Sequence, residues 1–199
     1  MIVLLRHCRT EGGRGRCVGR TALRLSPEGL DQALGLADDL GAVPFARLCS
    51  SPAIRAQATI APLAGRLGLG VEALPALDEI DMGAWDGLAF DDISARFSEE
   101  YTARGQRLGR YRAPGGESFE DVAERAMAAL VELAGGPLPV LAATHAGVIR
   151  SVLCRVTGHP LDDLFHFTPG YARCTILRPG GTLGLVAADA DARTVRELL

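Results

Sequence analysis

Arg6 and His7 stand side by side directly after the apolar run Ile2-Val3-Leu4-Leu5. A buried strand ending in such a pair sets a cation and an imidazole at the edge of a sheet, where an α/β protein can place a ligand. Two further apolar runs end in reactive groups: Ser50-Ser51-Pro52 leads to Arg55, and Thr144-His145 follows the run at 139–143. In a parallel sheet the carboxyl ends of the strands open on one crevice, so residues far apart in the chain can share a ligand. Arg55 falls in the first turn of a helix and His145 immediately precedes another, which adds two positive helix ends to the guanidinium charges. The ligand this arrangement predicts is an anion with tetrahedral oxygens.

A neutral imidazole facing a phosphoryl group held in this way can attack phosphorus and form a phosphohistidine. Two arginines clamp the non-bridging oxygens while a second histidine donates to the charge of the transition state. The leaving alkoxide needs a proton. Leu77-Asp78-Glu79-Ile80 supplies two adjacent carboxyls for that task, and a carboxyl among anionic oxygens holds its proton more tightly than in water.

These groups need a scaffold. Apolar runs bounded by turn residues at 2–5, 47–49, 71–74, 139–143, 174–177 and 183–187 read as strands. Helical patterns lie between them at 27–40, 53–68, 118–134 and 147–157. Ser26-Pro27 and Ser51-Pro52 combine a capping serine with a proline suited to the first helical turn, and Ser118 with Asp121 approximates a capping box. Alternation of this kind predicts an α/β fold, a three-layer α/β/α sandwich with a mostly parallel central sheet, as a single domain over 1–199. The stretch 85–116 is polar and irregular, with aromatic residues spaced among charges, and reads as an excursion that covers the site.

Composition narrows the chemistry further. All 21 basic residues are arginine, so lysine Schiff-base chemistry and a P-loop lysine are excluded and any phosphate must be held by guanidinium forks. A net charge of -3 gives no footprint for nucleic acid or an anionic membrane surface. Five cysteines without C-x-x-C spacing argue against a disulfide framework or a cysteine zinc site and fit reduced thiols. Without a leader or an apolar stretch of spanning length, the expectation is a cytoplasmic protein that requires neither metal nor cofactor. Apolar residues in Val195–Leu199 suggest a homodimer interface.

Taken together the motifs resemble the histidine phosphatase superfamily, the group that includes cofactor-dependent phosphoglycerate mutase. LLRHCRT is similar to the family's opening strand and RHG-x-T. Ser50 to Thr59 matches SSP-x-x-RA-x-x-T. Leu77-Asp78-Glu79 with Gly83-Ala84-Trp85-Asp86-Gly87 resembles L-x-E and the turn after it, and Thr144-His145-Ala146-Gly147 resembles S/T-H-x-G. The resemblance implies a phosphoglycerate mutase-like fold with His7 as nucleophile, Arg6 and Arg55 as clamps and His145 as transition-state donor. It selects Glu79 over Asp78 as the proton donor. Cys8, Arg9 and Gly13 depart from the family's usual glycine, glutamate and asparagine.

The stretch 15–29, the Pro-Gly-Gly-Glu-Ser run at 114–118 and Leu164-Phe165-His166-Phe167 look like the alpha-ribazole phosphatase branch, which acts in cobalamin biosynthesis. Mutases of the superfamily tend to be longer, so hydrolysis of a small-molecule phosphate ester is favoured over a mutase or a non-catalytic binding module. Arg20 and His166 join the site as substrate-binding candidates. Trp85 reads as a packing anchor and His159 as a structural turn residue.

Overall fold

The computed structural model describes every residue from Met1 to Leu199. Six strands build one sheet: β1 (Ile2–Arg6), β2 (Arg47–Ser50), β3 (Val71–Ala73), β4 (Val140–Thr144), β5 (Cys174–Arg178) and β6 (Gly184–Ala190), in spatial order β3-β2-β4-β1-β5-β6. The pairings β3–β2, β2–β4 and β4–β1 are parallel, whereas β1–β5 and β5–β6 are antiparallel. The sheet is therefore mixed, parallel in the half that carries the reactive strand ends. It turns antiparallel at β1–β5, and the Pro-Gly-Gly turn at 179–181 then lets the chain fold back from β5 into β6 as a hairpin.

Alternate residues of the central strands enter two separate cores. Val3, Leu5, Leu48 and Leu141 pack with α1 (Pro27–Leu40), α2 (Ile54–Leu67) and α7 (Ala192–Leu198). Ile2, Leu4, Val140 and Ala142 pack with α5 (Phe119–Ala134) and α6 (Ala146–Thr157). Strands buried on both faces must be apolar at every position, which is why β1 and β4 read as unbroken runs. Because β1 continues to α1 on one face and β4 to α6 on the other, these neighbouring strands diverge at their carboxyl ends and leave a crevice between them.

Serine caps start two of the helices as expected: Ser26 accepts from the Gly29 N–H, and Ser118 and Asp121 complete a reciprocal capping box. At α2 the expectation fails. Its N-cap is Ala53 without a side-chain cap bond; Ser51 lies two residues earlier, where its hydroxyl accepts the Ala53 N–H and donates to Asp78 in the site.

The excursion at 85–116 contains two short helices, α3 (Phe90–Arg96) and α4 (Ser98–Gln106), where the sequence pattern shows no regular structure. No residue of α4 is buried, so there is no apolar periodicity to read. Both helices instead place acidic residues in the first turn and an arginine in the last, matching the helix dipole. Trp85, 1% exposed, anchors the excursion by stacking on Tyr111 at 5.4 Å between ring centroids, with Phe97 and Tyr101 around it. The C-terminal stretch forms α7, and Val195, suggested above for an interface, is fully buried in the chain's own core. No helix is long and apolar enough to cross a membrane.

Leu130 is completely buried where α5 meets the sheet. Truncation to alanine is expected to remove about 2–5 kcal/mol of stability in urea unfolding. An unfolding midpoint equal to that of the wild type would contradict this packing.

Candidate active site

The register of β1 on β4 pairs Arg6 with Thr144, and the His7 N–H donates to the Thr144 carbonyl at 2.9 Å, one residue beyond the ladder. The residues that follow, His7 and His145, thus face each other with ring centroids 5.2 Å apart. His7 is 6% exposed, and its Nδ1 lies 2.8 Å from the Cys8 carbonyl oxygen. A carbonyl can only accept, so Nδ1 carries the proton and Nε2 keeps its lone pair. Burial, reinforced by His145, Arg55 and Arg6, holds the His7 pKa well below 6.5, so the ring is neutral at physiological pH.

His145 is fully buried. Its Nδ1 accepts from Arg55 Nε at 3.2 Å, which leaves the proton on Nε2, 2.7 Å from the Ser51 hydroxyl and 3.4 Å from Asp78 Oδ1. Ser51 donates onward to Asp78 Oδ1 at 2.8 Å. Burial alone would raise the Asp78 pKa, but hydrogen bonds from His145, Ser51 and the Glu79 N–H bring it down to about 2. Burial holds His145 below its usual value, so a neutral imidazole sits against the Asp78 carboxylate with its Nε2–H directed at Ser51 and Asp78.

Arg6 gives one N–H to the Pro169 carbonyl and lies under the Tyr171 ring, its guanidinium carbon 3.7 Å from the ring centroid. Arg55, 2% exposed, donates to the carbonyls of Gly19 and Thr21 at 2.7 and 2.9 Å, which fixes its charge in place. Burial lowers the pKa of both arginines from 12.5. Thr59, the last residue of the second motif, accepts from the Cys8 N–H and donates to the Arg55 carbonyl, tying the first motif to the second.

Glu79 is 8% exposed; Oε1 accepts from the Ile80 N–H and Oε2 from the Gly147 N–H. A Cβ at position 147 would collide with Glu79 Oε1, so the glycine of the last motif is what lets the carboxylate approach. The loop around Glu79 is pinned by Arg125, which reaches the carbonyls of Ala76 and Glu79 and pairs with Glu117. Glu117 in turn accepts from the Asp81 N–H.

Arg6, His7, Arg55 and Glu79 line one cavity of about 230 Å³, and His145 packs against His7 and Arg55 behind them. Arg20 does not line it: the side chain bonds the Glu79 carbonyl, Asp81 and Glu117 and so positions the loop. His166 does not line the cavity either. It is exposed, stacked on His159 outside the cavity, and its neighbour Phe165 forms the wall instead, because the 3-10 turn Leu161–His166 sends successive side chains in different directions.

Residues that motif reading passed over also reach the cavity. Arg16, Arg104 and Arg150 contribute three further guanidiniums, none at ion-pair distance from a carboxylate, and Tyr171 covers His7 at 5.5 Å. Arg16 and Arg104 fall in polar segments, where an arginine usually means solvent, and Arg150 interrupts the apolar run of α6 without a motif to mark it. Among the departures, Cys8 is buried in the core with its thiol pushed up to about 11, and Arg9 pairs at the surface with Glu28. Gly13 lines the cavity without a side chain.

A profile of the histidine phosphatase superfamily (branch 1) matches residues 2–187, and the chain belongs to that superfamily. The relatives it matches are named phosphatases. A glucosyl-3-phosphoglycerate phosphatase from Mycolicibacterium vanbaalenii is 32% identical over 177 residues, 81% of this chain and 76% of that protein. A 6-phosphofructo-2-kinase/fructose-2,6-bisphosphatase from Caenorhabditis elegans is 34% identical over 166 residues, 82% of this chain, which spans only 35% of that longer protein. Among solved structures, a mycobacterial glucosyl-3-phosphoglycerate phosphatase superposes with a TM-score of 0.84 at 28% identity, covering 96% of this chain and 98% of the other. The alpha-ribazole phosphatase of Shigella flexneri shares the fold, with a TM-score of 0.86 at 23% identity over 95% of this chain and 96% of its own.

The state of His7 sets a pH signature. Its folded pKa lies below the unfolded value of 6.5, so between the two the unfolded chain binds the extra proton. Stability from this group is complete above pH 6.5 and falls as pH drops toward the folded pKa. Activity that needs the Nε2 lone pair is expected to hold down to pH 6.5 and to fall only at more acid pH in a kcat/KM profile; an acid limb centred above 6.5 would contradict this environment.

Proposed function

We propose that the chain is a metal-independent phosphomonoester hydrolase acting on a small-molecule phosphate through a phosphohistidine. The observation that carries this reading is the His7 ring, neutral, with Nδ1 tethered to a carbonyl and Nε2 left as the nucleophile in an arginine-lined cavity. In the first step Nε2 forms a bond to phosphorus as the ester P–O bond breaks, and Glu79 delivers a proton to the departing alkoxide. Arg6 and Arg55 neutralise the phosphoryl oxygens, and His145 stabilises the transition state through Arg55, whose Nε–H it accepts and whose guanidinium it orients. In the second step Glu79 removes a proton from water as its oxygen attacks phosphorus, the P–N bond breaks, and inorganic phosphate leaves with His7 restored.

The test is phosphate release from p-nitrophenyl phosphate, with EDTA present, in wild type and His7→Ala. Turnover is expected to survive chelation and to be abolished in the variant. Retained turnover in His7→Ala would overturn the mechanism. Ester binding without phosphate release would point to a binding module, and phosphoryl return to a phosphoglycerate to a mutase.

For the substrate, the motif resemblance and the shared fold favour alpha-ribazole phosphate. A second reading follows from Arg16, Arg104 and Arg150, three cavity cations without acidic partners, which suit a substrate bearing a second anionic group. Relatives named for glucosyl-3-phosphoglycerate and fructose-2,6-bisphosphate point the same way. Under that reading Arg104→Ala lowers kcat/KM for a doubly anionic phosphate ester by about 10- to 100-fold and leaves p-nitrophenyl phosphate hydrolysis unchanged. Equal effects on both substrates would remove Arg104 from recognition and return the choice to alpha-ribazole phosphate.

A further inference from the structure

The turn Leu161–His166 carries Phe165 to the cavity wall, where the Arg150 guanidinium lies 4.9 Å from the ring centroid. His166 and Asp163 of this turn, with His159 just before it, stay outside the catalytic cavity and take no part in the chemistry above. They nevertheless converge. One ligand atom from each lies within 4.8 Å of the other two, and His159 Nε2 is 3.0 Å from Asp163 Oδ2.

The two imidazoles stack with centroids 4.6 Å apart and planes 25° from parallel. Phe167 meets both rings edge-on, at 5.3 Å to His159 and 5.1 Å to His166, so a single aromatic side chain seats the pair. The convergence of two imidazoles and one carboxylate suits a divalent cation, which binds imidazole through a ring lone pair and takes the carboxylate as its anionic ligand. The carboxylate and imidazole donors suit a borderline ion such as Zn²⁺ rather than Mg²⁺ or Ca²⁺, which favour all-oxygen shells.

We propose that His159, Asp163 and His166 form a surface site for a divalent transition-metal ion of the Zn²⁺ type, with water completing its coordination, that braces the turn presenting Phe165 to the cavity. The site lies apart from the phosphoryl chemistry, so it stands whether or not the hydrolase reading holds. It also gives employment to two histidines that the catalytic motifs leave unused.

The test titrates ZnCl₂ into the full chain, stripped of metal beforehand, by calorimetry and by competition with a chromogenic chelator. Wild type is expected to take up one saturable equivalent and to gain melting temperature as it does so. His159→Gln and Asp163→Asn should each weaken that uptake by about 10-fold or more and lose the thermal gain. Their p-nitrophenyl phosphate turnover in EDTA and far-UV circular dichroism should match wild type, which separates loss of the site from loss of the fold. Absence of saturable uptake by wild type would overturn the proposal. So would uptake of equal strength in both variants, since the metal would then sit on other donors.

Discussion

The parallel pairing of β1 with β4 runs to the last residue of each strand, and there both chains continue into a histidine. Every other part of the site is arranged around that coincidence. The two imidazoles share a crevice because adjacent strands send their following helices to opposite faces, a topological consequence of which strand lies beside which. A one-residue slip would exchange the two cores, moving Val3 and Leu5 to the face now filled by Ile2 and Leu4. Burial on both faces therefore locks the register that sets the two histidines side by side.

The second theme is the treatment of buried charge. Arg55 is almost fully enclosed, yet its donors find two carbonyls and an imidazole nitrogen, so the cation is hydrogen-bonded but not neutralised. Asp78 is tied to a serine, a histidine and a backbone amide. Burying ions is costly unless their hydrogen bonds are made. Here the bonds are made while net positive charge is left facing the cavity, which is the preorganisation a phosphoryl group needs.

The strand ends, the helices from Ser26 and Ser118, and the set Arg6, His7, Arg55, Glu79 and His145 were legible in the sequence because each depends on local pattern or on motif order. What escaped depends on long-range placement. Ser51 looked like a cap and acts as a link between His145 and Asp78, a role visible only when residues from three segments meet. Arg104 sits on a helix with no buried residue, so nothing in its surroundings distinguishes it from a solvated arginine. His166 was placed in the site on the strength of its neighbours, and the turn puts Phe165 there instead. The convergence of His159, Asp163 and His166, three and four positions apart, likewise shows only once the turn is folded.

The lack of buried residues in α4 bears on how such a chain can change over time. Groups that would break and form bonds emerge from strands sealed in two cores, where almost any substitution is felt as lost stability. The helix bearing Arg104 buries none of its residues and meets the core only where Tyr101 lies against Trp85, so most of its positions can be exchanged at little thermodynamic penalty. Under the reading that gives Arg104 a part in recognition, catalytic machinery and the means of choosing a substrate lie under separate selective pressures within one short polypeptide. A lineage built on this plan can acquire new substrates by drift in a tethered appendage while its chemistry stays constant.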